Sequence, residues 1–218
     1  MKKIILIFAL FSTIALLAQR NKDGNRIGIS GGITQTTVTT NNFNTTPELG
    51  FVGGLSVRGN FYNDFSMIFG MQFFESNFST KTIKPTSFAF EDVKYKMMGV
   101  QIKLLLSYNI IQDHLAIDLG PVLQVNDKLK YNKSSALNVI SGTALQADQI
   151  VDISKINGNL YAGISGGTKI VKLVLSYQYG VNNFMNGINK KPASVLANGG
   201  KEFSGHYGIV SGQLMINL

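Results

Sequence analysis

Cysteine and tryptophan are absent from this chain of 218 residues, proline occurs four times, and charged residues make up 15%. The lack of cysteine excludes disulfides, thiolate metal sites and a lipoprotein anchor, while leaving an export compartment open. After the first twenty residues no apolar run is long enough for a transmembrane helix. Acidic side chains are also few, 12 against 20 basic ones, for a formal charge of +8. Removing Lys2 and Lys3 with a cleaved leader lowers that +8 to +6. The lysines are scattered over the chain rather than clustered. That pattern points to solubility and contact with lipid phosphate groups, not to nucleic acid.

The N-terminus has the parts of a secretory signal peptide over residues 1–18: Lys2 and Lys3, an apolar stretch from Ile4 to Leu17, and a cleavage point after Ala18. The stretch falls short of the ~18–20 apolar residues that a membrane anchor needs. Residues 19–218 are then expected to form one β domain.

What the remaining sequence has in abundance is alternation. In the last segment Gly208, Val210, Gly212, Leu214, Ile216 and Leu218 share one face, and Tyr207, Ser211, Gln213 and Asn217 the other. A period of two is the signature of a strand with one apolar face. Comparable segments fall at about 26–36, 50–61, 65–77, 94–108, 114–125, 156–168 and 171–182. Long connections (37–49, the stretch up to Asp92, 126–155 and 183–205) alternate with short ones, and a short helix is expected near Ala144–Ile153. The expected fold is all-β: a closed, antiparallel, eight-stranded transmembrane β-barrel of up-and-down topology. Its short turns lie at the periplasmic end and its long loops outside. Closure leaves no strand edge unpaired, as lipid requires.

Periodicity alone does not say which face is inside, and a soluble lipocalin-like barrel would bury the apolar set. Two features favour the membrane. The polar set is crowded with Gly28, Ser30, Gly32, Gly163, Ser165 and Gly167, which suits a cramped lumen. Most aromatics of the apolar set gather at the strand ends, with Phe61, Phe65 and Tyr108 at one and Phe51, Phe73 and Tyr179 at the other, although Phe69 lies mid-strand.

The inward charges Arg58, Lys103, Asp118 and Lys172, with Gln101 and Gln178, form the expected lumen network, which is structural. If Tyr108 pairs near Leu115, Lys103 lies one diagonal step from Asp118, within ion-pair reach. The string Gly-Ile-Ser-Gly-Gly at 28–32 and 163–167 lacks the strand–loop–helix setting and the Lys-Ser/Thr ending of a phosphate loop, so it reads as tight packing. His114 and His206 fall at opposite ends of the barrel and cannot share a metal. An enzymatic site would need His206 with Ser204 and Glu202, three residues crowded into one loop.

Three runs resemble the PorT-type outer-membrane β-barrel family of Bacteroidetes. They are Val100-Gln101-Ile102-Lys103-Leu104-Leu105-Leu106-Ser107-Tyr108, Asp118-Leu119-Gly120-Pro121 and Ser176-Tyr177-Gln178-Tyr179-Gly180-Val181-Asn182-Asn183. The opening Gly28-Ile29-Ser30-Gly31-Gly32 fits as well. The chain departs from the family at Lys103, where proline is frequent, and at Leu218, where an aromatic residue is usual. The resemblance implies an integral outer-membrane protein, in a family whose best-known member takes part in type IX secretion.

These readings predict a monomeric, non-enzymatic outer-membrane barrel with a structural, accessory or binding role and no cofactor or metal. Its partners would be outer-membrane lipid and envelope proteins met through the outer loops, with no nucleic acid. The alternatives are a lipid-modifying enzyme with His206 as base and a soluble periplasmic ligand-binding barrel.

Overall fold

Exposure alternates residue by residue along Val171–Gly180. Val171, Leu173, Leu175, Tyr177 and Tyr179 face out, and Lys172, Val174, Ser176, Gln178 and Gly180 are buried. The computed structural model describes residues 26–62 and 64–218. The leader assigned to 1–18 lies outside the described residues, as does Asn63 in the short turn before Phe65.

The described residues contain nine strands: β1 (Arg26–Thr40), β2 (Thr46–Tyr62), β3 (Phe65–Ile83), β4 (Phe90–Ile111), β5 (Leu115–Asn126), a two-residue β6 (Val139–Ile140), β7 (Ile156–Gly167), β8 (Val171–Gly180) and β9 (Gly205–Asn217). All strands but β6 pair antiparallel with their neighbours in chain order, and β9 returns to β1 from Gly28↔Asn217 to Thr40↔Gly205. The result is an antiparallel ring of eight strands. β6 is an outlier that pairs with β3 at Thr82 and Ile83. No described helix is long and apolar enough to cross a membrane.

Glycine permits the closest strand approaches. A Cβ on Gly32 would stand 2.0 Å from the Gly212 carbonyl oxygen, whereas one on Gly31, facing outward, would meet nothing within 4 Å.

The structure departs from the sequence reading mainly at the loop end. The first two loops are far shorter than expected, only 41–45 and 84–89, because strand pairing continues through their threonine-rich flanks. Val38, Thr39 and Thr40 pair with β9, and Ser79 to Ile83 pair with β4. These stretches look like loop by polarity, but their β-branched side chains fit a pleated surface. The hairpin β3–β4 therefore stands above the ring, its strands 19 and 22 residues long against 12 for β5.

The other two connections are long and ordered. The third carries one 3₁₀ turn at Lys133–Ser135, β6 and a second 3₁₀ turn at Ala147–Ile150, inside the expected helical stretch. The fourth contains a 3₁₀ segment, Phe184–Lys190, and a short α1 (Pro192–Ala197) that the sequence reading left as loop. Pro192 starts α1 because a proline at the first helical position lacks only an amide hydrogen that would go unpaired there.

Candidate functional site

Within the ring, the inward residues of neighbouring strands meet in layers, from the turn end to the loop end. At the turn end Arg26 forms an ion pair with Asp113, which sits in the β4–β5 turn at φ 64. That hydrogen bond holds the Asp113 carboxyl below the usual carboxylate range. Lys172 shares the small cavity here with Arg26, Arg58 and Asp113.

The next layer holds the central charges. Arg58 donates from Nη1 to Ser107 Oγ at 2.6 Å, and its Nη2 lies 3.4 Å from Asp118 Oδ1. Lys103 does not pair with Asp118 as expected. Its ammonium instead stands over the Tyr161 ring, 5.2 Å from the centroid, a cation–π contact. The cause is register. β4 runs on to Ile111, and an irregularity between Asn109 and Ile111 places Tyr108 opposite Ile117, not Leu115. Lys103 then faces Val122 and Asp118 faces Ser107.

Above the charges, amides link the strands. Gln72 donates to Ser30 and to Gln213. Gln178 donates to Gln101 at 3.3 Å and Gln101 to Gln124 at 2.9 Å. Asn159 reaches both Gln124 and Gln178, and the Tyr207 hydroxyl donates to Asn159 at 2.8 Å. Gln101, Gln178, Lys103, Asp118 and Lys172 are all buried. The remaining space beside Arg58, Lys103 and Asp118 is about 40 Å³. A water needs roughly 10–15 Å³, so this cavity has room for a few waters at most.

The sequence reading missed the layer above. Apolar side chains of the loops at this end fold inward and seal the ring. Phe43 comes from the first loop, Leu145 and Ile150 from the third, and Phe184, Ile188 and Phe203 from the fourth. They pack on Phe78 and Tyr95 of the tall hairpin and on Tyr207. Tyr95 donates its hydroxyl to the Ala147 carbonyl at 2.9 Å, and Phe184 meets Tyr207 edge-on at 5.4 Å. Apolar residues dispersed among polar loop residues were the available signal. They carry no period, so nothing in the sequence marked them as core.

The cap is also tied down by charge. Asp152 binds Lys128 at 2.6 Å and also Lys191, and these two hydrogen bonds hold its carboxyl below the usual range. A hydrogen bond from Asn138 does the same for Glu91 on the tall hairpin.

The histidines are separate. The ring Nδ1 of His114 donates to the Gly167 carbonyl at 2.8 Å, and that of His206 to the Gly180 carbonyl at 2.9 Å. His206 stacks on Tyr179, and among the described residues no hydrogen bond joins it to Ser204 or Glu202. The described residues contain no group of three His, Cys, Asp or Glu able to hold a metal.

No family model matches the chain, and no curated protein matches it. Among solved structures it is similar to Ail, the attachment invasion locus protein of Yersinia pestis, crystallised with the heparin analogue sucrose octasulfate. That match has 14% identity and a TM-score of 0.50, and covers 89% of this chain and 99% of that one. It is also similar to Neisserial surface protein A, NspA, with 13% identity and a TM-score of 0.46 over 88% of this chain and 98% of that one. The likeness to Ail concerns the fold. This chain has the eight-stranded antiparallel ring of a small outer-membrane-type barrel.

Proposed function

We propose that the chain is an integral outer-membrane β-barrel of the PorT type, exported by its N-terminal leader. Its role is non-enzymatic, as a structural or accessory component that presents an ordered outer cap to other envelope molecules.

The outward face carries this reading. Ile33 is 63% exposed, Leu104 48%, Leu119 54% and Leu173 54%, and they belong to a continuous belt of such residues around the ring. Exposed apolar patches on soluble proteins are usually far smaller, and a belt of this kind is what lipid-facing strands present. Phe65 and Tyr108, 5.1 Å apart, flank the belt at the turn end, with Phe51, Phe73 and Tyr179 exposed toward the other. A lumen filled by hydrogen-bonded amides and by the Arg58–Asp118 and Arg26–Asp113 ion pairs, and capped by apolar loops, supports a scaffold and not a pore.

The test is extraction and gel migration. The protein should leave the outer membrane only with detergent, run faster on gels before boiling than after, and give no conductance steps in a planar bilayer. Release by osmotic shock would support the soluble barrel instead.

A further inference from the structure

Over the β5–β7 side of the ring, the third and fourth outer loops leave an open hollow of about 550 Å³. Its floor is the start of β7. Ile156 there is 65% exposed and pairs across the strands with Val125, itself exposed, at the loop-end edge of the apolar belt. The walls carry four ammonium groups, those of Lys128, Lys155, Lys190 and Lys191, against a single carboxylate, Asp152.

Asp152 is already engaged with Lys128 and Lys191. Lys155 and Lys190 are exposed and have no ion pair among the described residues. The frame that presents them is closely packed. Gly187 comes so close to the opposite wall that a Cβ on it would lie 2.4 Å from the Asp152 carbonyl oxygen. The Ser154 amide donates to the Phe184 carbonyl at 2.7 Å, and Ile153, Phe184 and Ile188 are packed beneath.

Like charges gathered on a fixed frame repel one another, and an anion seated among them relieves that repulsion. A lysine ammonium binds phosphate as a point charge and needs no fork geometry. A free phosphate would make no use of Ile156 and Val125. In a membrane, however, the phosphates of a lipid headgroup lie just above the acyl chains, at the level where this apolar column ends and the ammonium groups begin.

We propose that this hollow binds the phosphate-bearing headgroup of an outer-leaflet lipid, with Lys155 and Lys190 on the phosphate and an acyl chain along Ile156 and Val125. The proposal rests on the membrane reading above.

The protein, folded in detergent micelles, is titrated with lipid A carrying its phosphates and with the same lipid after their removal. The wild type should prefer the phosphorylated lipid about thirtyfold, given ~1 kcal/mol for each of the two lysines near such a surface. The variant Lys155→Ala/Lys190→Ala breaks no ion pair, so it should fold and show unchanged heat-modifiable migration while losing that preference. Lys169→Ala, at the turn end, should keep it. An undiminished preference in the double variant overturns the site. Inorganic phosphate binding alone, with the same dependence on both lysines, overturns the lipid assignment in favour of a free anion. Flotation with vesicles, run on the same preparations, reads membrane residence separately. A chain that does not float sinks the membrane reading, and one that floats without a lysine-dependent preference sinks only the headgroup site.

Discussion

Arg58 and Asp118, sixty residues apart in the chain, meet inside the ring with Nη2 3.4 Å from Oδ1. β2 and β5, which carry them, are separated in the ring by β3 and β4, so the pair spans the lumen. Removing one partner leaves a buried charge without compensation. Asp118→Ala should destabilise the barrel by about 3 kcal/mol in urea titrations of the folded protein. A double-mutant cycle separates the partners: coupling to Arg58 should exceed coupling to Lys103. The reverse ranking would restore the pairing expected from sequence.

Leu104 faces outward near the middle of β4, paired with Phe69. Leu104→Arg should cost ~2–4 kcal/mol if that position lies at mid-depth in lipid. A neutral result in bilayer refolding would reverse the assignment of inside and outside.

Neighbouring glycines offer a sharper contrast. A Cβ at Gly32 runs into the Gly212 carbonyl oxygen, while one at Gly31 meets open space. Gly32→Ala should lower stability by ~1–3 kcal/mol as an overpacked contact, and Gly31→Ala should be near neutral. Equal behaviour of the two in refolding yield would contradict the strand contact at β1–β9.

Acid should loosen the cap. The Asp152 carboxyl titrates below its ordinary value because of Lys128 and Lys191. Its contribution is therefore complete above the unfolded value of about 3.9 and is lost as pH falls through the lower, folded value. Hydrogen exchange in Phe184–Lys190 should accelerate over that acidic window, and Asp152→Asn should already exchange fast at neutral pH. Acid-independent protection in the wild type would remove this ion pair as the tether.

The cap should also come apart without the ring. Phe184 is buried against Tyr207, so Phe184→Ala should cost ~3–5 kcal/mol locally. Proteolysis in 181–204 should quicken while heat-modifiable migration persists. Loss of both together would mean that cap and ring form one cooperative unit.

Strands and facing were legible in the sequence because both follow from a period of two, and that period depends only on which medium each face meets. Leu173 and Lys172 take opposite sides for that reason alone. Lys103, Asp118, Gln101 and Gln178 were placed inward by phase, and their burial follows it. Their partners were not legible. An irregularity near Ile111 slides Lys103 opposite Val122, and only ring closure brings Arg58 to Asp118. Strand ends misled where threonine-rich pairing was read as loop, as at Val38–Thr40.

The alternating faces, the succession of strands and the chemistry available to each side are written along the chain and can be read from it directly. Which charges neutralise one another, the folding of the long loops into an apolar cap, and the gathering of Lys155 and Lys190 near Ile156 cannot be read that way. Each of these depends on distances between segments far apart in the chain, which are set by inter-strand register and loop packing, not by any local period.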